Sequence, residues 1–177
     1  GTTQRIGRGV VGAVLVAWAS IALADETCNS PYTTRLIKGQ EDYLHVWTLG
    51  VKGLGDGNDK LVTIGANPKA KDYGKVIHKV SLAGRGEAHH MGFTDDRRYL
   101  WAGRLDENKI FVFDMARPDT PRLVKTISSI ATKTGFVGPH TFYALPGRML
   151  VQALSNTKDH GGATGLVMFN NKGDIVE

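Results

Sequence analysis

Short apolar runs follow one another along most of the chain, with turn residues between them. Eight runs read as strands: 43–49, 60–64, 76–82, 99–102, 110–113, 123–127, 149–154 and 166–169. They are rich in Val, Ile, Leu and aromatics and are bounded by Gly, Asp, Asn and Pro, as half-buried or buried strands are. Beyond the first 24 residues no window carries a sustained helical stripe. The pattern predicts a mostly β chain.

A weak internal repeat overlies these runs. The succession HMGFTDDRRYLWAG, NKIFVFD, PRLVKTI is echoed by HTFYALPGRMLVQAL, TGLVMFN, GDIVE. His90 aligns with His140 and Leu100 with Leu150, each fifty residues on. Phe111 then meets Val167, which places six extra residues in the loop 155–164. An earlier, less complete unit is KLVTIGA…GKVIHKVSL. Repeats of about this length, with about four strands each, mark the blades of a β-propeller. The expectation is therefore an all-β, partial β-propeller of about three blades; a sandwich or meander with chance spacing is the alternative. On a propeller the innermost strand of every blade lines the central channel. Residues that open successive innermost strands then meet in space although fifty positions separate them.

The two ends add to this picture. The chain runs from Gly1 to Glu177, directly after a strand-like pattern, so both ends are expected to be cut and the propeller partial. Arg5 and Arg8 precede an apolar run over 9–23, and Ala22-Leu23-Ala24 gives a small-x-small cleavage pattern before Asp25. That run is short for a bilayer span. The reading is a cleaved secretory signal peptide over 1–24, followed by the N-terminal part of a propeller domain over 25–177. No stable membrane insertion is expected after cleavage; a retained anchor is the alternative. The separated arginines do not make a twin-arginine signal, and Cys28 lies too far from the cleavage point to carry a lipid.

Composition excludes more than it assigns. Removing 1–24 takes away Arg5 and Arg8 and no acid, so the formal charge falls from +5 to +3. No basic block with interleaved aromatics is present, so nucleic acid is not an expected partner. One cysteine, Cys28, leaves no internal disulfide framework in this sequence.

Six histidines remain to be placed: His45, His78, His89, His90, His140 and His160. His45 and His78 lie inside alternating strand patterns and read as partly exposed strand residues. His160 sits in the Gly-rich loop SNTKDHGGATG, where a surface loop is the default although such loops often carry function. His89, His90 and His140 differ, because the repeat puts His90 and His140 in register. Imidazole suits Zn, Cu, Fe and Ni, and a cluster without several carboxylates argues against Ca or Mg. The residues alone leave two readings open, a metal site and a packed, hydrogen-bonded histidine group. Glu87 either orients an imidazole through its second nitrogen or is a solvated loop residue. Strand geometry by itself favours one of the adjacent pair, since neighbours on a strand point to opposite faces. Both can serve only if the chain bends or bulges, which Gly84 and Gly86 permit. Trp47 and Trp101 lie in strands and read as core. No nucleophile elbow, CxxC pair or phosphate-cradling loop stands out.

Several ordered motifs then carry a resemblance. CNSPYTTRL, DYGKVIHKVSL after ANPKA, GEAHHMGF, KIFVFDMARPDTPRLVKTI, and PHTFYALPGRMLVQALSN followed by GLVMFNNKGDIVE occur in the order found in selenium-binding proteins. That family includes methanethiol oxidases. The resemblance covers most of 28–177 and the N-terminal part of such a protein. With an export signal, the chain resembles the bacterial branch, which implies a periplasmic, copper-dependent enzyme. The implied reaction oxidises methanethiol, a small thiol, with O2 and water to formaldehyde, hydrogen sulfide and hydrogen peroxide. The family's HH falls on His89 and His90 and its HT on His140, which implies three copper ligands, with others beyond Glu177. Its early cysteine falls on Cys28. A further cysteine tied to selenium binding in animal relatives belongs near DYLHVWTLG, where this chain has none. That departure weakens a selenium-carrier role. The rival reading is a non-catalytic selenium- or metal-binding propeller, acting as a carrier or interaction module. The oligomeric state stays open.

Overall fold

A computed structural model of the protein describes residues 30–177, so the signal-peptide reading of 1–24 and Cys28 lie outside the described residues. The described chain is built from strands β1 (Tyr43–Thr48), β2 (Lys60–Gly65), β3 (Val76–Ser81), β4 (Ala88–Phe93), β5 (Tyr99–Arg104), β6 (Lys109–Asp114), β7 (Arg122–Ile127), β8 (Val137–Leu145), β9 (Arg148–Ser155) and β10 (Gly165–Asn170). Two one-turn helices, α1 (Pro31–Thr34) and α2 (Ile130–Thr134), complete it. The strands form three antiparallel sheets, ordered β1-β2-β3, β4-β5-β6-β7 and β8-β9-β10.

Alternation of side chains explains why the middle sheet reads as continuous apolar runs. Leu100, Ala102, Phe111 and Phe113 point one way and pack with Trp47 and Leu61 of the first sheet. Trp101, Ile110 and Val112 point the other way and pack with Phe142, Met149, Val151, Val167 and Phe169 of the third. A strand buried on both faces has no polar side to show. Each fully buried large side chain contributes about 1.5–3 kcal/mol, so these two interfaces hold the sheets to one another. On the outward faces of the first and third sheets, Leu44 and Leu166 stay exposed.

The repeat is visible as register. Gly92 faces Trp101 and Phe93 faces Leu100 across β4 and β5; Phe142 faces Val151 and Tyr143 faces Leu150 across β8 and β9. The fifty-residue offset therefore holds pair by pair. The later alignment shifts by one, because Trp101 pairs with Val112 while Val151 pairs with Val167. Val112, not Phe111, is the counterpart of Val167, and the connecting loop holds five extra residues rather than six. Both Phe111 and Val112 are buried, so apolar character could not set the phase there.

The first sheet matches a different part of the repeat. Tyr43 faces Gly65 and Thr48 faces Lys60, as Tyr99 faces Asp114 and Arg104 faces Lys109. By register β1-β2-β3 thus corresponds to β5-β6-β7, and the described residues of that blade begin at its second strand. In agreement, β1 lies beside β4: His45 meets Phe93 of β4, and Trp47 reaches past it to the Gly103 carbonyl of β5. The third sheet supplies the first three strands of its own blade. The result is a partial β-propeller, with β4 and β8 side by side as first strands of successive blades.

Small devices close the ends. Ser30 caps α1, its Oγ accepting from the Tyr32 N–H and donating to the Ala144 carbonyl. Gly135, with φ 76°, ends α2 in the left-handed conformation. Among the described residues no helix is long and apolar enough to cross a membrane.

Candidate metal centre

β4 and β8 are the two strands absent from the eight apolar runs, and both carry the histidines. Their sequences, AHHMGF and VGPHTFYAL, are broken by Gly, Pro and His. The repeat places them where hydrophobicity does not.

Each strand carries a one-residue bulge at its histidine. In β4, Ala88 pairs with Arg104 and Met91 with Ala102, so His89 and His90 together stand opposite the single residue Gly103. In β8, Pro139 pairs with Ala153 and Thr141 with Gln152, which leaves His140 as the extra residue. A bulge suspends alternation locally and re-aims side chains. This is how adjacent histidines come to serve one place. Before β4, Gly84 (φ 81°) and Glu87 (φ 59°) take the left-handed conformation, whereas Gly86 does not and instead leaves room for the Arg104 stem.

Close approach of β8 brings His140 to the pair. A Cβ on Gly103 would lie 2.5 Å from the Pro139 carbonyl oxygen, and one on Gly92 would lie 2.7 Å from that of Phe142. Only glycine at these positions lets β8 pack this closely on β4 and β5 without displacement. Trp47 fixes Gly103 from the other side, its Nε1–H donating to the Gly103 carbonyl at 2.8 Å.

The imidazoles of His89, His90 and His140 form a triangle, with ring centroids 4.6, 4.5 and 4.4 Å apart. One nitrogen from each lies within 4.8 Å of the others. Metal–nitrogen bonds of about 2.0–2.1 Å are within reach by small side-chain movements. His89 is exposed and the other two are half-buried. Burial lowers the pKa of His90, and the neighbouring His89 lowers it further. Burial likewise leads for His140, followed by His90 and His89. Both rings are thus held towards the neutral form, the form that ligates a metal. The Nδ1 of His140 is hydrogen-bonded to Thr141 Oγ1 at 2.9 Å, which engages one of its two ring nitrogens. An all-imidazole donor set fits copper, along with zinc, iron and nickel.

The other candidates fall elsewhere. His45 is half-buried in β1 against Thr63, and His78 bonds to the Pro121 carbonyl from β3. His160 lies in its loop with φ 63°. Glu87 is exposed, and its main-chain carbonyl accepts from the Leu105 N–H, so the solvated-loop reading fits it. Trp47 and Trp101 are core, as expected. Sequence reasoning missed Thr141, Gly103 and the buried Asp59–Arg104 pair. An isolated glycine inside a buried strand is a mark of close backbone approach, so WAGR carried a signal for Gly103. Nothing in the sequence pairs Asp59 with Arg104.

Known proteins extend the comparison. A hypothetical selenium-binding protein from Sulfolobus tokodaii has the same fold, with a TM-score of 0.70 at 24% identity over 83% of this chain and 37% of that one. A methanethiol oxidase of Hyphomicrobium sp is 69% identical over 153 residues, 86% of this chain and 35% of that protein. A methanethiol oxidase of Ruegeria pomeroyi is 50% identical over 175 residues, 98% of this chain and 40% of that protein. The chain therefore spans well under half the length of these relatives. The profile of the 56kDa selenium binding protein (SBP56) family matches residues 23–176, across all three sheets, and the chain belongs to that family.

Proposed function

We propose that the chain is the N-terminal part of an exported, copper-dependent methanethiol oxidase. The observation that carries this reading is the convergence of His89, His90 and His140 on one point from two bulged strands. The high identity to two bacterial proteins named methanethiol oxidase supports it. In the proposed reaction the methyl carbon of the thiol gives up two electrons and water supplies the oxygen of formaldehyde. Sulfur leaves as hydrogen sulfide, and O2 takes the two electrons and two protons to become hydrogen peroxide.

Copper bound here would supply a soft centre that favours thiolate over thiol and exchanges electrons with oxygen. The chain's part is to converge the three imidazoles and to hold those of His90 and His140 towards the neutral form. Thr141 bonds the ring of His140, and His89 is exposed while His90 and His140 are half-buried, so the cluster is in reach of a small thiol from solvent. Export to the periplasm is part of the same proposal and rests on the sequence of residues 1–24.

The test uses the full-length protein, copper-loaded and copper-stripped, supplied with methanethiol in air. Consumption of the thiol with matched release of hydrogen sulfide and hydrogen peroxide, only when copper is loaded, is the expected result. A copper-loaded protein that consumes no methanethiol ends the oxidase reading. The carrier reading, favoured by the family's selenium-binding description, would then predict stoichiometric selenium or metal binding without turnover.

A further inference from the structure

The buried charges of the first two sheets are used by nothing described so far. Asp59, which precedes β2, and Arg104, which ends β5, are 0% and 1% exposed, and Arg104 Nε lies 2.8 Å from Asp59 Oδ2. Burying such a pair costs several kcal/mol of desolvation per ion, and replacing one with apolar residues is often neutral or stabilising. Stability alone is a poor reason for its presence here.

Its hydrogen bonds point to another role. The guanidinium donates to the carbonyls of Ala83 and Gly84 at 3.0 and 3.1 Å and to Glu107 Oε2 at 3.3 Å. The Asp59 carboxylate accepts from the Gly86 N–H at 3.1 Å and from the Gly50 N–H at 2.8 Å. The Asp59 main chain accepts from the Leu82 N–H and donates to the Gly84 carbonyl. A Cβ on Gly86 would sit 2.6 Å from Arg104 Cδ, so the loop lies flat on the arginine stem. Arg104 also pairs with Ala88 across the β4–β5 ladder, the last regular pair before the bulge. Apart from those to Gly50 and Glu107, these contacts fall on residues 82–88, and His89 and His90 follow at once.

We infer that the buried Asp59–Arg104 pair is a positioning device for the His89–His90 donors: it fixes residues 82–88 so that the bulge presents both imidazoles to His140. This assignment rests on the metal-centre reading above. Arg104 is a positioning residue, since it touches neither a donor nor the reacting atoms. Arginine suits the task because its planar fork reaches Asp59 and two carbonyls at once, whereas a lysine offers a single charge.

The experiment uses full-length protein with Cu(II) as the probe, and compares wild type, Arg104→Lys, the double variant Asp59→Asn with Arg104→Met, and His140→Ala. Folding is followed by circular dichroism, Cu(II) affinity by competition with a chromophoric chelator, and nitrogen coordination by electron paramagnetic resonance. Amide exchange is measured on the copper-free protein. In folded Arg104→Lys, Cu(II) affinity should fall about 10–100-fold, the range seen when supports of a metal ligand are lost. The nitrogen couplings should change, and exchange over 83–91 should rise roughly tenfold or more while 110–113 stays protected. Folded variants with wild-type affinity, spectrum and exchange overturn the positioning role. If both variants lose the whole fold, the pair is a general structural element and the assignment also falls. A wild type that binds no Cu(II), or a His140→Ala that binds it like wild type, removes the metal-centre reading and this assignment with it. An unaltered Arg104→Lys beside a weakened His140→Ala removes the positioning role alone.

Discussion

The rings of His90 and His140 lie 4.4 Å apart between centroids, each at a one-residue bulge in the first strand of its sheet. The two strands repeat the same register at an offset of fifty residues, so one local deformation, used twice, builds the convergence. Replacing His90 or His140 by Ala removes one donor and leaves the bulge. Copper occupancy, measured by mass spectrometry after exposure to limiting Cu(II), should fall by about one to two orders of magnitude. Unchanged occupancy would take that residue out of the site.

Thr141 offers a finer test, because its hydroxyl bonds the Nδ1 of His140. Thr141→Val keeps the shape and loses that bond; Thr141→Ser keeps the bond. The valine variant should bind Cu(II) about tenfold more weakly, and the serine variant should stay near wild type. Equal affinities for the two would show that ring orientation comes from packing alone.

How much of this was readable in advance depended on which physical signal each residue leaves in the sequence. β5 and β6 were legible because burial on both faces writes uninterrupted apolar runs. The same burial hid their phase, so Phe111 stood in for Val112. β4 and β8 left no apolar run, and only the repeat around His90 and His140 placed them. The bulge that recruits His89 leaves no local trace, because an extra residue looks like any other until its partner strand is known. Asp59 and Arg104 look like solvated charges beside a turn and at a strand end; their burial follows from how two sheets meet.

Gly103 tests the close packing of β8. Its backbone is not in the left-handed region, so Gly103→Ala carries no conformational penalty, only overlap with Pro139 and the Phe142 ring. Crowding of this kind costs about 1–3 kcal/mol. Urea unfolding of the full-length protein should show a loss of that order. Cu(II) affinity should fall as well, since the displaced strand carries His140. A loss of stability with full copper affinity would separate strand packing from donor placement.

His45 supplies a test by pH that does not involve the centre. Burial is the main cause that pushes its pKa down to about 4, Arg97 adds to the fall, and Glu41 opposes it. In the unfolded chain a histidine titrates near 6.5. Between about pH 6.5 and 4 the unfolded state therefore binds a proton that the folded state refuses. Stability due to this group is complete above pH 6.5 and is lost as pH falls through that window. His45→Gln retains a polar group beside Thr63 Oγ1, which lies 3.2 Å from the His45 Nδ1, and it cannot titrate. The melting temperature of the wild type should drop more steeply from pH 6.5 to 4 than that of His45→Gln, with the two curves parallel above pH 7. Parallel curves across the whole range would mean that His45 takes up its proton in the folded protein, and the burial argument for β1 would fail.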